Sequence, residues 1–163
     1  MEQLWAPWRM AYIEKERPTG CPFCTKPAES DDRRSLILHR GRSCFVVMNL
    51  FPYNNGHVMV IPYRHTSDFP GLTPEEAAEM MQLTQECVRL LGETFRPDGF
   101  NLGMNLGQSA GAGVAEHLHM HVVPRWSGDT NFMPVLGETK VLPDALFAGY
   151  DRLLAAFRQG AER

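Results

Sequence analysis

No apolar run in the sequence approaches the roughly 18 residues that suggest a membrane span. The first residues, Met1 to Arg9, lack the apolar core of a signal peptide. The expected compartment is therefore cytoplasmic. Clustered basic residues are also missing. Lys and Arg number 16 against 19 Asp and Glu, and no stretch gathers the cations that a nucleic-acid backbone needs. Nucleic acid and membrane are not expected partners. A small anion is still an allowed ligand, because a few local donors hold one against a net charge of only −3. Cysteine is scarce: four residues, too few for a disulfide scaffold and expected to be reduced in the cytosol. Repeats, low-complexity blocks and linkers are absent too.

What is present reads as one ordinary globular domain over residues 1–163. The chain is 44% hydrophobic and 21% charged, which argues against disorder. Residues 1–34 are expected to be mostly irregular, with Trp5 and Trp8 packed onto the domain. Three strands follow, at Leu36–His39, Cys44–Asn49 and His57–Ile61. Asn54-Asn55-Gly56 turns the last two into a hairpin. Thr73, Pro74 and Glu76 supply an N-cap, an N1 proline and a capping box. Met80, Leu83, Cys87, Leu90 and Leu91 then recur at helical spacing up to about Phe95. A fourth strand is expected at Phe100–Asn105, a Gly-rich loop at 106–116 and a fifth strand at His117–Val123, ended by Pro124. A second helix is expected at about 142–158, from Leu142 to Phe157. The pattern is α+β, an antiparallel sheet of about five strands with two main helices. Cys44 and Cys87 lie in apolar runs and read as core residues.

The most informative segment is His117-Leu118-His119-Met120-His121-Val122-Val123. Side chains alternate along a strand, so the three histidines share one face and Leu118, Met120 and Val122 the other. At about 3.3 Å per residue, His117 and His121 stand roughly 13 Å apart, with His119 about 6.6 Å from each. One small centre cannot take all three, so the end histidines have different tasks. A solvated strand with coincidental histidines is the plain alternative. A cupin-type metal strand would want a Glu a few residues on, and 121–129 has none.

This segment resembles the H-φ-H-φ-H-φ-φ signature of the histidine-triad (HIT) nucleotide-binding proteins, where φ is apolar. The resemblance runs from about residue 21 to 126 and implies the HIT-like α+β fold. In that family the middle histidine attacks the α-phosphorus of a nucleotide, so the resemblance implies that role for His119. A neutral imidazole suits it, being nucleophilic near pH 7. His121 then donates to phosphate oxygens or to the leaving group.

The same resemblance extends to the nucleotide pocket. Phe45-Val-Val-Met-Asn49 and Gly56-His57-Val-Met-Val-Ile-Pro62 match the family's ribose and phosphate segments. They imply that Asn49 binds ribose hydroxyls and that His57 supports the site. An Asn chosen only for the turn is the alternative. In Asn105-Leu-Gly107-Gln108-Ser109-Ala-Gly111-Ala-Gly113 the glycines let backbone N–H groups approach phosphate, while Asn105, Gln108 and Ser109 add donors. The loop is neither a Walker nor a Rossmann loop, and a flexible hairpin connection is its plain alternative. Many members place Ser or Thr just before the first histidine. This chain has Gly113-Val114-Ala115-Glu116 there. In relatives acting on diadenosine polyphosphates an aromatic near Trp126 stacks on the second adenine; a Trp is otherwise a core residue.

Cys21-Pro-Phe-Cys24 alone is ambiguous. Glutaredoxin sites share the spacing, but they follow a buried strand, whereas Arg17-Pro-Thr-Gly20 precedes this one. Two cysteines so spaced also make half of a tetrahedral zinc site. In zinc-containing HIT proteins, and in the related galactose-1-phosphate uridylyltransferases, two histidines complete it. Here His65 and His117 match them, and the resemblance implies a structural zinc on Cys21, Cys24, His65 and His117. His39 reads as an ordinary surface or strand residue.

Leu4-Trp5-Ala-Pro-Trp8 and Trp126-Ser-Gly-Asp-Thr-Asn-Phe132 look like bacterial HIT proteins acting on diadenosine tetraphosphate. The implied activity is cleavage of a dinucleoside polyphosphate at the α-phosphorus through a nucleotidyl-histidine, by hydrolysis or phosphorolysis. His121 at the third position, where transferase branches often carry Gln, tilts towards hydrolysis. A nucleoside phosphoramidase and a nucleotide sensor without turnover are the alternatives. Relatives are commonly homodimers, and the helix at 73–95 has apolar residues enough for a core and an interface.

Overall fold

β-Formers fill Cys44–Met48 and Val58–Pro62, and both segments are buried from end to end. The computed structural model describes residues 20–129 and 145–160. In it the two segments are central strands of one antiparallel sheet. The strands are β1 (Ile37–Arg40), β2 (Cys44–Met48), β3 (Val58–Pro62), β4 (Gly99–Gly103) and β5 (Met120–Arg125). Their order is β1-β2-β3-β5-β4. The helical segments are α1 (Pro22–Thr25), α2 (Asp32–Ser35), α3 (Pro74–Phe95) and α4 (Leu146–Gly160).

Strand register assigns the faces. Cys44, Val46 and Met48 lie opposite Pro62, Val60 and Val58, and Val58 lies opposite Val122. Cys44 Sγ donates to the Glu76 carbonyl at 3.7 Å, so this face meets α3. Met59 and His121 are partners on the other face. Helices therefore cover one side of the sheet, and a histidine occupies the other.

The hairpin turns at Gly56, at φ +69°. A Cβ there would lie 3.1 Å from Leu91 and Phe95 of α3, so both conformation and space require glycine. α3 begins with the expected capping box. Thr73 Oγ1 accepts from the Glu76 N–H at 3.2 Å, and the Glu76 carboxylate accepts from the Thr73 N–H at 3.0 Å. The same carboxylate pairs with Arg64 Nη2 at 2.6 Å. α3 ends where Arg96 turns left-handed at φ 50°. α4 packs on α3 and β1, and its Tyr150 hydroxyl donates to the Ile37 carbonyl at 2.8 Å. Cys44 and Cys87 are buried free thiols, as expected. His39 stands in β1, half-buried and stacked on Phe157 at 5.8 Å.

Four expectations are corrected. Residues 25–34, within the segment expected to be mostly irregular, contain a 3-10 turn (Lys26–Ala28) and part of α2, whose Asp31 side chain caps the Arg34 N–H. The fifth strand runs over Met120–Arg125, not His117–Val123. The Leu118 N–H donates to the Thr66 carbonyl, outside the sheet, so pairing begins only at Val60 opposite Met120. Pro124 does not end the strand. Its carbonyl accepts from Asn54 Nδ2, on the side where β3 has stopped, so its missing N–H costs no ladder bond. The second helix continues past Phe157 to Gly160. Its expected start at Leu142, and Trp5 and Trp8, lie outside the described residues. Among the described residues no helix is long and apolar enough to cross a membrane.

Candidate functional site

The histidine strand does not space its rings as an ideal strand would. The His119 and His121 ring centroids are 4.8 Å apart, closer than the spacing expected for alternate residues. The reason is that His119 precedes the paired strand and bends onto its own chain. Its Nδ1 lies 2.9 Å from the His117 carbonyl and must donate to it. Nε2 of His119 therefore carries the lone pair. No hydrogen bond among the described residues engages it.

A second network fixes His121. The Tyr53 backbone N–H donates to His57 Nδ1 at 3.0 Å, so the proton of His57 sits on Nε2. That N–H donates to His121 Nδ1 at 2.9 Å. The proton of His121 is thereby placed on Nε2, which is buried and has no hydrogen-bond partner among the described residues. An unpaired buried donor is costly and calls for an acceptor. Burial, with His119 beside it, pushes His121 down to about 4. Burial also lowers His119, against the opposing pull of the His117 carbonyl. Both rings are neutral at pH 7 in this setting. One offers a lone pair and the other an N–H, the complement of a phosphoryl group undergoing substitution.

Asn49 follows β2. Its Oδ1 accepts from the Phe51 N–H at 3.0 Å, and its Nδ2 lies 3.3 Å from His57 Nδ1. The structure thus brings Asn49, His57, His119 and His121 together. The Gly-rich loop is exposed. Gln108, Ser109 and Ala110 form a 3-10 turn between Gly107 and Gly111, both at positive φ. Asn105 Nδ2 reaches the Gly111 carbonyl at 3.5 Å, and Gly113 is exposed. Trp126 lies one residue past β5, half-buried, its N–H on Asp129 Oδ2 at 3.2 Å.

The first histidine belongs to a separate cluster. The ligand atoms of Cys21, Cys24, His65 and His117 all lie within 4.8 Å of one another. Cys21 Sγ is 3.3 Å from His117 Nδ1, and Cys24 Sγ is 3.3 Å from His65 Nδ1. His117 Nε2 donates to the Pro62 carbonyl at 2.8 Å, which leaves Nδ1 free to face the sulfurs. Two thiols and two imidazoles so placed form a set that fits a metal ion.

The HIT domain model matches residues 31–128. The chain belongs to the HIT family. It is 46% identical over 155 residues to the AP-4-A phosphorylase of Mycobacterium tuberculosis, covering 90% of this chain and 79% of that protein. It is 34% identical over 93 residues to a bis(5'-adenosyl)-triphosphatase of Dictyostelium discoideum, covering 57% of this chain and 62% of that one. Among solved structures it resembles a Zn-bound histidine triad family protein from Mycobacterium smegmatis. There the TM-score is 0.69 at 27% identity, over 88% of this chain and 96% of that one. The HIT fold read from the sequence is the fold observed.

Sequence reasoning missed three contributors. Phe23 touches the rings of both His117 and His119, and its only signal was an aromatic between two ligand cysteines. Tyr53 acts on His57 through its backbone, and its ring packs against the imidazole at 4.7 Å, tilted by 34°, which no sequence pattern announces. Asp129, well below the usual carboxylate range because Arg125 hydrogen-bonds it, accepts from Asn54 Nδ2 at 2.7 Å. That contact joins two loops 75 residues apart.

Proposed function

We propose that this HIT protein cleaves dinucleoside polyphosphates of the diadenosine tetraphosphate kind at the α-phosphorus, through a nucleotidyl intermediate on His119. The observation that carries the reading is the pair of fixed tautomers. His119 Nε2 presents a lone pair, and His121 Nε2 presents an N–H that has no partner among the described residues.

In the first step His119 Nε2 attacks the α-phosphorus. The bond from that phosphorus to the bridging oxygen breaks, and the nucleoside polyphosphate leaves. His121 Nε2–H donates to the departing oxygen, while His57 keeps that proton on the outward nitrogen. In the second step an acceptor oxygen attacks the same phosphorus and releases His119. Asn49 binds the ribose hydroxyls, the loop carrying Asn105, Gln108, Ser109, Gly111 and Gly113 holds phosphate oxygens, and Trp126 stacks on the distal base.

The acceptor is inorganic phosphate. The 46% identity to a protein named AP-4-A phosphorylase supports this, against the tilt towards water drawn from His121 alone. The test is the product pair from diadenosine tetraphosphate with phosphate present, resolved by chromatography. ADP plus ATP supports phosphorolysis, and AMP plus ATP assigns water as acceptor. No product on this substrate, with turnover of an adenosine phosphoramidate, replaces the reading.

The ion of the Cys/His cluster is zinc in this proposal. Zn–S bonds of about 2.3 Å and Zn–N bonds of about 2.0 Å in a tetrahedron put ligand atoms about 3.3–3.8 Å apart. The sulfur–nitrogen distances of 3.3–3.6 Å support that ion. Four protein ligands close the site, so its role is to hold the cysteine segment against His117. A homodimer is proposed on the family resemblance, with the exposed Leu102 of edge strand β4 and Met81 of α3 as support. Sedimentation equilibrium tests it.

A further inference from the structure

Phe23 lies between the two cysteines of the cluster. It is only 6% exposed, although its neighbours Cys24 and Thr25 are exposed. Two imidazoles help to bury it. It meets the ring of His117 edge-on at 5.6 Å and leans over the ring of His119 at 5.0 Å, tilted by 54°. The segment that carries it has little stability of its own. α1 is four residues long, with no side-chain cap at its N-terminus. Its anchor is the cluster, through Cys21 and Cys24 against His117 and His65.

His119 is constrained from two directions besides this one. The bond from Nδ1 to the His117 carbonyl fixes its tautomer but allows the ring to tip about that bond. The ring of His121 stands at 76° to it, on a centroid distance of 4.8 Å. Phe23 brackets the imidazole together with His121.

We propose that Phe23 is a positioning residue: the cysteine segment, anchored by its metal cluster, wedges this ring against His119 and holds Nε2 in line with the phosphorus it attacks. The inference rests on the reading of His119 as nucleophile. It makes the cluster, the wedge and the nucleophile one mechanical unit, since His117 contributes its ring to the cluster and its carbonyl to His119. Ordering of the cysteine segment by metal then reaches the reacting nitrogen through van der Waals contact, without any metal–substrate bond.

The test uses the full chain as wild type, Phe23→Ala, Phe23→Leu and His119→Ala. The readouts are metal-to-protein ratio, kcat and KM on diadenosine tetraphosphate, and the imidazole 15N–1H signals of His119. Phe23→Ala is expected to keep the wild-type metal ratio and KM while kcat falls about 10- to 100-fold, because reaction rates are steep in the position of the attacking atom. The Nδ1–H signal of His119 broadens in the same variant. Phe23→Leu, which retains bulk, recovers most of kcat and a sharp signal. The proposal is overturned if Phe23→Ala keeps kcat within about twofold at full metal loading. It is equally overturned if metal ratio, KM and kcat fail together and Phe23→Leu restores none of them, since the ring is then simple core filling. His119→Ala tells the two readings apart. Turnover that survives in it removes the nucleophile assignment itself. A dead His119→Ala beside an unaffected Phe23→Ala removes only the wedge.

Discussion

His57 Nε2 lies 2.9 Å from His121 Nδ1, joining residues 64 apart in the chain. The bond is one link in a relay: Tyr53 N–H to His57, His57 to His121, and a proton left on His121 Nε2. The relay determines what His121 offers a substrate, so its members are expected to fail differently.

His121→Ala removes the donor and is expected to lower kcat by about 10²- to 10⁴-fold, the range for a positioned acid. His57→Gln keeps an N–H that can face His121 and loses less. His57→Ala leaves the His121 tautomer unassigned and falls between the two. Steady-state kinetics on diadenosine tetraphosphate check the order. Equal losses in all three would contradict a directional relay.

The Cys/His cluster predicts metal-dependent stability. Cys24→Ser removes one of four ligands and is expected to cost about 3 kcal/mol or more of folding free energy. It also lowers the metal-to-protein ratio. Scanning calorimetry with and without a chelator measures the stability, and elemental analysis of the purified protein measures the metal content. A wild-type protein that binds no metal and melts unchanged in chelator contradicts the assignment.

Glu76 predicts a pH window. The Arg64 guanidinium holds its carboxyl down at about 2, against an ordinary value of 4.5. A carboxylate depressed by folding adds stability above the unfolded value and loses it as pH falls through the folded one. Glu76→Gln keeps an acceptor for the Thr73 N–H but loses the charge paired with Arg64, and is expected to be less stable by about 1–2 kcal/mol at pH 7. The gap should close between about pH 4.5 and pH 2. Urea unfolding across that range measures it, and a gap that persists at pH 2 contradicts the linkage.

Asn54 clamps the hairpin to the end of β5 through the Pro124 carbonyl and Asp129. Asn54→Ala leaves the buried Pro124 carbonyl without its partner and removes one bond to Asp129, which keeps Arg125 and Trp126, and is expected to cost about 1–3 kcal/mol in urea unfolding. A loss below about 0.5 kcal/mol, the range of an ordinary surface substitution, would contradict the clamp.

Much of this was legible in the sequence because the signals were local. Thr73, Pro74 and Glu76 wrote the start of α3, and the runs at 44–48 and 58–62 wrote the central strands. The histidine segment was harder. Its apolar alternation continues through Leu118, but pairing with β3 begins only at Met120, since the Leu118 N–H is taken by Thr66. Periodicity reports a buried face and not a ladder. The four-ligand cluster followed from the family resemblance, whereas the Phe23 wedge and the Asn54–Asp129 clamp depend on contacts between distant segments. A sequence pattern does not carry those.

The central claim is a covalent intermediate on His119. Stereochemistry tests it most directly. Diadenosine tetraphosphate carrying a chiral thiophosphate at the α-position would be cleaved with inorganic phosphate, and the configuration of the resulting α-thio ADP determined. Two in-line displacements, onto His119 and then onto phosphate, give net retention, which is the expected result. Inversion would mean a single direct attack by phosphate and would contradict the nucleophilic role of His119.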